Sequence, residues 1–175
     1  MGYDRHRLGP AEGPSPTGAE GLSSTESERP LLLGGVEIPF DQVLIGHSDA
    51  DVLLHAVTDA VLGAAGLGDI GELFPNDDAR NFRRDSSEML SLAWQSVRSG
   101  GWNLVNLDIV LLAQSPKISP YKEAIRRRIA EILGVEHEQI NLKGKTGEEV
   151  GTVGRGESID VHCVALLERV TEDEA

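Results

Sequence analysis

The sequence predicts an α+β fold in which helices cover one face of a sheet. Stretches with the apolar period of helices interleave with stretches that alternate apolar and polar residues as strands do. Some connections between them are too short to be crossovers. The 175 residues favour one domain over 1–175, large enough to bury a real core.

Each element has a local reason. Residues 31–39 (LLLGGVEIP) read as strand, with Gly34-Gly35 as a bulge or turn. Ser48 has the place of a helix N-cap, with Asp51 three residues on in the capping-box position. The helix then runs over about 49–65 and ends near Gly66. Val52, Leu53, Ala56, Val57, Ala60 and Val61 fill its broad apolar face, while Asp51, His55 and Asp59 line one stripe. Residues 68–78 (GDIGELFPNDD) read as a loop. Asp85 and Glu88 make a second capping-box pattern, opening a helix that Gly100-Gly101 end. Residues 104–113 (LVNLDIVLLA) read as a strand. Ser119-Pro120 opens a third helix, with Ser as cap and Pro in the first turn, and Gly134 closes it. Residues 140–143 form a short strand, and Ile159, Val161, Cys163, Ala165 and Leu167 alternate through the last one. Residues 9–29, rich in Gly, Pro, Ser, Thr and Glu without an apolar period, read as a flexible insertion loop within the domain.

Composition excludes several classes. The chain has 16 Lys and Arg against 29 Asp and Glu, a formal charge of −13. Nucleic-acid binding needs a basic footprint, which this balance opposes. An anionic substrate would be repelled in bulk, so local cations must hold it, and metals can supply them. Cys163 is the one cysteine, so an intrachain disulfide and a Cys-based zinc finger are excluded. In an apolar strand pattern it reads as a small buried hydrophobe. No stretch is long and apolar enough to span a membrane. The N-terminus lacks both the apolar core of a signal peptide and the Arg- and Ser-rich look of a transit peptide. A soluble cytoplasmic protein is the expectation.

The chemistry concentrates in Asp4-Arg5-His6 and in GHSDADVLLH, which carries His47 and His55. Asp and His at i and i+2 point the same way from an extended strand. One more His completes three protein ligands. Two histidines and a carboxylate, with a fourth position open, are the donor set of a catalytic zinc rather than a structural one. Each piece also has a plain structural reading. Asp4 and His6 suit a frayed end, His55 a helix face, Ser48 a cap, residues 145–149 a polar turn and residues 113–119 a strand-to-helix turn.

Taken in order, GYDRHRL, LLLGGVEIP, GHSDADVLLHAVTDAVLGAAGLGDIGELFP, DSSEML, NLDIVLLAQSPKISP, INLKGKTGEE and GRGES resemble the 2-C-methyl-D-erythritol 2,4-cyclodiphosphate synthase family of the non-mevalonate isoprenoid pathway. The match covers nearly the whole chain apart from residues 9–29. It implies a ferredoxin-like α+β domain in a homotrimer, with active sites between neighbouring subunits. The implied reaction, a metal-dependent phosphorus–oxygen lyase reaction, converts 4-diphosphocytidyl-2-C-methyl-D-erythritol 2-phosphate to the cyclic diphosphate and releases CMP.

The resemblance also implies residue roles. Asp4, His6 and His55 hold one zinc per subunit, with Asp4 and His6 bordering the substrate. Glu148 holds a magnesium or manganese ion that bridges the substrate diphosphate. His47 and Thr146 stabilise the transition state. Ser48 contacts substrate, as do Asp69, Ile70 and Gly71, and then the segment from Phe74 to Asp78. Ala113, Pro116, Lys117 and Ser119 belong to the cytidine pocket. Asp59 supports the site ligands from behind or partners a nearby His, and Arg155 pairs with Glu157 near the trimer axis.

Four features depart from the family pattern. Met1 lies almost against the Asp-x-His motif, where family members carry a short strand first. The start is truncated or misassigned, or the chain does without that strand. Residues 9–29 make a longer loop than usual. The threonine run before the metal-binding Glu reads Gly144-Lys145-Thr146-Gly147-Glu148, and Lys145 adds a cation that can assist phosphate binding or compete with the metal. Thr152 stands where a Phe commonly faces a cavity on the trimer axis, which predicts weaker or absent isoprenoid-diphosphate binding there, with the chemistry less affected. A non-catalytic trimeric scaffold and another metal-dependent phosphoryl-transfer enzyme on the same fold stay open as alternatives. Association with a cytidylyltransferase is left open by the sequence.

Overall fold

The computed structural model describes residues 1–10 and 30–170. The strands are β1 (Gly2–Pro10), β2 (Leu31–Leu33), β3 (Val36–Ile38), β4 (Gln42–Ile45), β5 (Trp102–Leu112), β6 (Ile140–Lys145) and β7 (Ser158–Arg169). The helices are α1 (Val52–Ala65), α2 (Ile70–Leu73), α3 (Ser86–Ser99), α4 (Lys122–Leu133) and α5 (Gly151–Gly154). Five strands form one mixed sheet in the order β4-β1-β7-β5-β6, and β2 pairs with β3 in a separate hairpin. Within the five-stranded sheet only β5 and β6 run parallel, joined by the α4 crossover. The rest is antiparallel, which is why short connections suffice.

Alternation along the strands sets the faces. Ile159, Val161 and Cys163 of β7 are fully buried, and α1 packs on β7 and β1. On the opposite face Val164 and Leu166 remain 52% and 55% exposed. Helices therefore cover one face and leave the other bare, as the pattern predicts. α1 lies between the sheet and α3, so it needs apolar side chains on two sides; Val52, Leu53, Leu54, Val57 and Val61 are all buried.

The N-terminal motif is itself a strand. Gly2 to Arg7 pair with β7 from Cys163 to Ser158, and Arg7 to Pro10 pair with β4. Asp4 and His6 are thus held in register by β7, with β4 anchoring the strand just beyond them, which corrects the reading of a frayed end. Gly2 is required by a close approach: a Cβ there would lie 2.0 Å from the Ala56 carbonyl oxygen in α1. Gly9 and Pro10, expected in a loop over 9–29, belong to the strand; residues 11–29 lie outside the described residues.

Other boundaries move for local reasons. Residues 31–39 are two strands joined at Gly34-Gly35, whose positive φ values of 66° and 73° suit a two-residue hairpin turn. β4 was absent from the sequence reading. The α1 cap is Asp51, not Ser48. Its buried carboxylate accepts from the Leu53 and Leu54 N–H groups and from those of Gly34 and Gly35, tying helix start to hairpin turn. Burial pushes this carboxyl above its usual range, and the backbone donors pull against that. Asp85 does cap α3, accepting from Ser87 N–H, but Glu88 pairs with Arg84 instead of completing a box. Ser119 is no cap: residues Ser119–Tyr121 form a 3-10 turn, and α4 begins at Lys122 with no side-chain cap. Residues 68–78 contain α2, capped by Asp69. α5 was absent from the sequence reading, because four residues carry no periodic signal.

Candidate active site

Strand β1 presents Asp4 and His6 on alternate positions, and α1 brings His55 to meet them. Asp4 Oδ2 lies 3.1 Å from His55 Nδ1 and 3.2 Å from His6 Nδ1. One donor atom from each residue falls within 4.8 Å of the others. Tetrahedral zinc with bonds of about 2.05 Å needs donors roughly 3.3 Å apart, so the spacing suits such an ion. His6 Nδ1 is buried and has no hydrogen-bond partner. A buried nitrogen left this way carries a penalty of about 1–3 kcal/mol unless something binds it. The three residues fit a metal ion.

The electrostatics agree. Burial alone would raise the Asp4 carboxyl, but the neighbouring His55 and His6 rings outweigh it and hold it well below the carboxylate range. The anion persists at this spot to complement a cation. On its other side, His55 Nε2 lies 3.0 Å from Ser48 Oγ and 2.9 Å from Ser86 Oγ.

A cavity of about 230 Å³ opens over the triad. His47, Ser48, Ile70, Gly71 and Phe74 line it together with Asp59, Asn76, Asn81 and Met89. His47 stands exposed in it, its ring edge-on to Phe82 at 5.4 Å between centroids, and its carbonyl accepts from Arg83 N–H at 3.0 Å. Asp59 does not partner a histidine as expected; its carboxylate accepts from Ile70 N–H at 2.8 Å and anchors α2. Burial raises its carboxyl, and the nearby Asp69 and Asp4 charges add to this. Asp69 turns one oxygen to the Glu72 N–H. Phe74 is buried beneath the Arg84 guanidinium, 5.0 Å from its ring centroid. Asp78 is not part of this cavity. It pairs with Arg80, whose hydrogen bonds hold its carboxyl at about 2, and lines a neighbouring surface groove.

The remaining predicted residues gather elsewhere. Ala113 N–H donates to Lys145 O at 2.9 Å, and Gly147 N–H donates to Gln114 Oε1 at 3.3 Å. These bonds lock the loop carrying Pro116, Lys117 and Ser119 onto the segment carrying Lys145, Thr146 and Glu148. Thr146 Oγ1 donates to Glu148 Oε1. Glu148 and Glu149 have φ values of 48° and 62°, a left-handed conformation that side chains disfavour and that clusters at functional sites. This group follows β6, three strands from β1, or about 14 Å at ordinary strand spacing. Arg155 and Glu157 form an exposed pair at 2.7 Å.

Comparison with known proteins bears on both groups. The family model of the YgbB family matches residues 1–168. The chain belongs to the YgbB family. A relative from Neisseria gonorrhoeae, named 2-C-methyl-D-erythritol 2,4-cyclodiphosphate synthase, is 48% identical over 170 residues, which are 97% of this chain and 96% of the relative. The bifunctional IspDF of Campylobacter jejuni superposes with a TM-score of 0.84 at 41% identity; the match covers 96% of this chain and 41% of that longer one. A CDP complex of IspF from Plasmodium falciparum matches with a TM-score of 0.77 at 32% identity, over 97% of this chain and 94% of that one. A YgbB-family member is thus similar in sequence and fold along nearly its whole length to enzymes of that name.

The sequence reading missed Ser86, Asn81 and Met89 at this site. Ser86 was absorbed into the start of α3, where a serine ordinarily serves the backbone. Asn81, which donates to the Pro75 carbonyl at 2.9 Å, lies in a stretch without periodicity.

Proposed function

We propose that this YgbB-family chain, acting as one catalytic domain over residues 1–175, cyclises 4-diphosphocytidyl-2-C-methyl-D-erythritol 2-phosphate to 2-C-methyl-D-erythritol 2,4-cyclodiphosphate and releases CMP. The observation that carries this reading is the Asp4, His6 and His55 triad in a cavity also lined by His47 and Ser48, in a chain close to synthases of that name along nearly its whole length. A 2-phosphate oxygen forms a bond to the distal phosphorus of the diphosphate, and the bond from that phosphorus to the CMP oxygen breaks. The nucleophile is already an anion, so the protein's tasks are positioning and charge stabilisation.

Zinc held by Asp4, His6 and His55 would supply Lewis-acid polarisation of a phosphate oxygen. Magnesium or manganese on Glu148 would neutralise the diphosphate, in keeping with oxygen ligation. His47 and Ser48 donate to phosphate oxygens from one side, and Thr146, with Lys117 and Lys145, from the other. Asp69 has a second oxygen free for a substrate hydroxyl, next to Ile70 and Gly71. Phe74 packs against the methylerythritol, and the backbone from Ala113 to Ser119 reads the cytosine. Asp78 and Arg155 act at the rim. The CDP complex of the Plasmodium falciparum relative supports a cytidine diphosphate ligand.

The separation of the two residue groups supports a homotrimer with intersubunit sites. One copy carries the metal triad beside β1 and the Thr146–Glu148 group beyond β6, so a neighbouring copy is needed to bring them together. The bare sheet face, with Val164 and Leu166 exposed, supports an interface there. On this reading the fold is of the ferredoxin-like kind. We assign it to the cytoplasm; among the described residues no helix is long and apolar enough to cross a membrane.

Incubation with the diphosphocytidyl substrate, zinc and magnesium, followed by phosphorus NMR, tests the activity. Cyclic diphosphate and CMP should appear together and be abolished in His55→Ala, which should also lose zinc. Folded, zinc-loaded protein that forms neither product would sink the proposal.

A further inference from the structure

We infer that Ser86, oriented by Asp49, is the positioning residue that sets His55 for metal binding, an inference that rests on the metal-site reading above. Ser86 is the first residue of α3 and is fully buried. Its hydroxyl touches two groups at once, Asp49 Oδ1 and, at 2.9 Å, His55 Nε2. Its backbone N–H donates to Asp49 Oδ2 at 2.9 Å, so the serine and the carboxylate are locked together.

Donor and acceptor capacity then fixes the directions. An ionised carboxylate only accepts, so the Ser86 hydroxyl proton points at Asp49. Ser86 Oγ keeps lone pairs for His55, and Nε2 must be the protonated ring nitrogen. The neutral ring therefore carries its lone pair on Nδ1, the atom 3.1 Å from Asp4 Oδ2. Two electron-rich atoms facing at that distance repel, and a cation shared between them removes the repulsion. The relay from Asp49 through Ser86 to His55 does what a direct carboxylate does for many ligating histidines: it selects the tautomer and aims the ring.

The backbone around Asp49 is shaped to this end. Asp49 N–H donates to Arg84 O at 3.2 Å, and Asp49 Oδ1 also accepts from Asp51 N–H at 3.2 Å. Ala50 between them holds φ at 64°, a conformation that disfavours a Cβ by about 1–2 kcal/mol. This bend delays the helix start to Asp51 and leaves Asp49 facing α3. Ser48 is thereby separated in role from Ser86. Its oxygen accepts from Ala50 N–H at 3.2 Å and lies 3.0 Å from Nε2, which is already protonated. The Ser48 hydroxyl proton is left to point into the cavity, toward an anionic group.

The test compares wild type with Ser86→Ala, Ser86→Thr and Asp49→Asn. Zinc affinity is read by chelator competition. The His55 tautomer is read by nitrogen-15 NMR of the zinc-free protein, at a pH where the ring is neutral. Urea unfolding runs in parallel to separate lost folding from lost positioning. Ser86→Ala and Asp49→Asn should bind zinc roughly 10–100-fold more weakly. His55 should pass from the single Nε2–H form to a mixture, and Ser86→Thr should keep wild-type behaviour. Folded Ser86→Ala and Asp49→Asn proteins with zinc affinity within about two-fold of wild type and an unchanged tautomer would overturn the inference, since the expected losses are far larger. A wild-type protein that takes up no His55-dependent zinc would instead overturn the metal-site reading, and this inference with it.

Discussion

Replacing Asp51 tests how the fold places the site. Its carboxylate is fully buried and accepts four backbone N–H groups, from Gly34 and Gly35 in the β2–β3 turn and from Leu53 and Leu54 at the start of α1. Asp51→Ala removes a helix cap, a loss of about 1 kcal/mol. It also strands the two turn donors, at about 1–3 kcal/mol each. Removing a carboxyl whose burial is itself unfavourable returns roughly 1–2 kcal/mol. The net loss is about 3 kcal/mol. Asp51→Asn keeps the shape and can still accept from Gly34, Leu53 and Leu54 through one oxygen. Its amide nitrogen faces the Gly35 N–H, donor against donor, so about 1–2 kcal/mol is lost. Urea unfolding followed by Trp94 and Trp102 fluorescence, at one fixed protein concentration, measures both. An Asp51→Ala protein within about 1 kcal/mol of wild type, or an Asn variant as damaged as the Ala variant, would refute this reasoning.

Three further outcomes are expected. Gly2→Ala puts a Cβ 2.0 Å from the Ala56 carbonyl and 2.6 Å from the Ala60 nitrogen, so β1 must lift from α1 and carry Asp4 with it; zinc content by atomic absorption should fall well below one per chain, and a fully loaded variant would contradict the packing argument. The buried Cys163 thiol is pushed up to about 12 from 9.0, so the folded state keeps a proton that the unfolded chain loses. Its contribution to stability is therefore unchanged below pH 9.0 and declines by roughly 1.4 kcal/mol per pH unit from there toward 12, a slope that urea unfolding should find in wild type and not in Cys163→Ala. Glu148→Ala should retain zinc yet lose most of the magnesium-dependent rate, and normal turnover at low magnesium would remove Glu148 from its assigned role.

Much of the fold was legible because burial imposes period. The alternation of Ile159, Val161 and Cys163 gave β7, and the apolar stripe from Val52 to Val61 gave α1. What could not be read is where polar side chains chose long-range partners over local ones. Ser48 and Asp51 match a capping box, yet Asp51 caps the helix itself because the hairpin turn, sixteen and seventeen residues earlier, needs the same carboxylate. Asp59 looked like a histidine partner from its place on the helix stripe, but the α2 backbone claims it. The metal triad was legible only in part: Asp4 and His6 share a strand face, but His55 as the third ligand came from the family resemblance, because the packing of β1 beside α1 leaves no mark in the sequence. The triad's support through Ser86 was not legible, since 31 residues separate that hydroxyl from His55 and a serine at a helix start carries no mark of such a role.

On the proposed function, the metal triad of one copy works with the Thr146–Glu148 group of its neighbour. Mixing two inactive variants tests it directly. His55→Ala and Glu148→Ala, unfolded together in equal amounts and refolded, assemble at random. Each intersubunit site is intact when one copy supplies His55 and its neighbour supplies Glu148, with a chance of one half for each, so about a quarter of wild-type activity should return. Recovery near that level would establish the shared site. A mixture that stays as inactive as either variant, while mass spectrometry shows mixed assemblies, would contradict it.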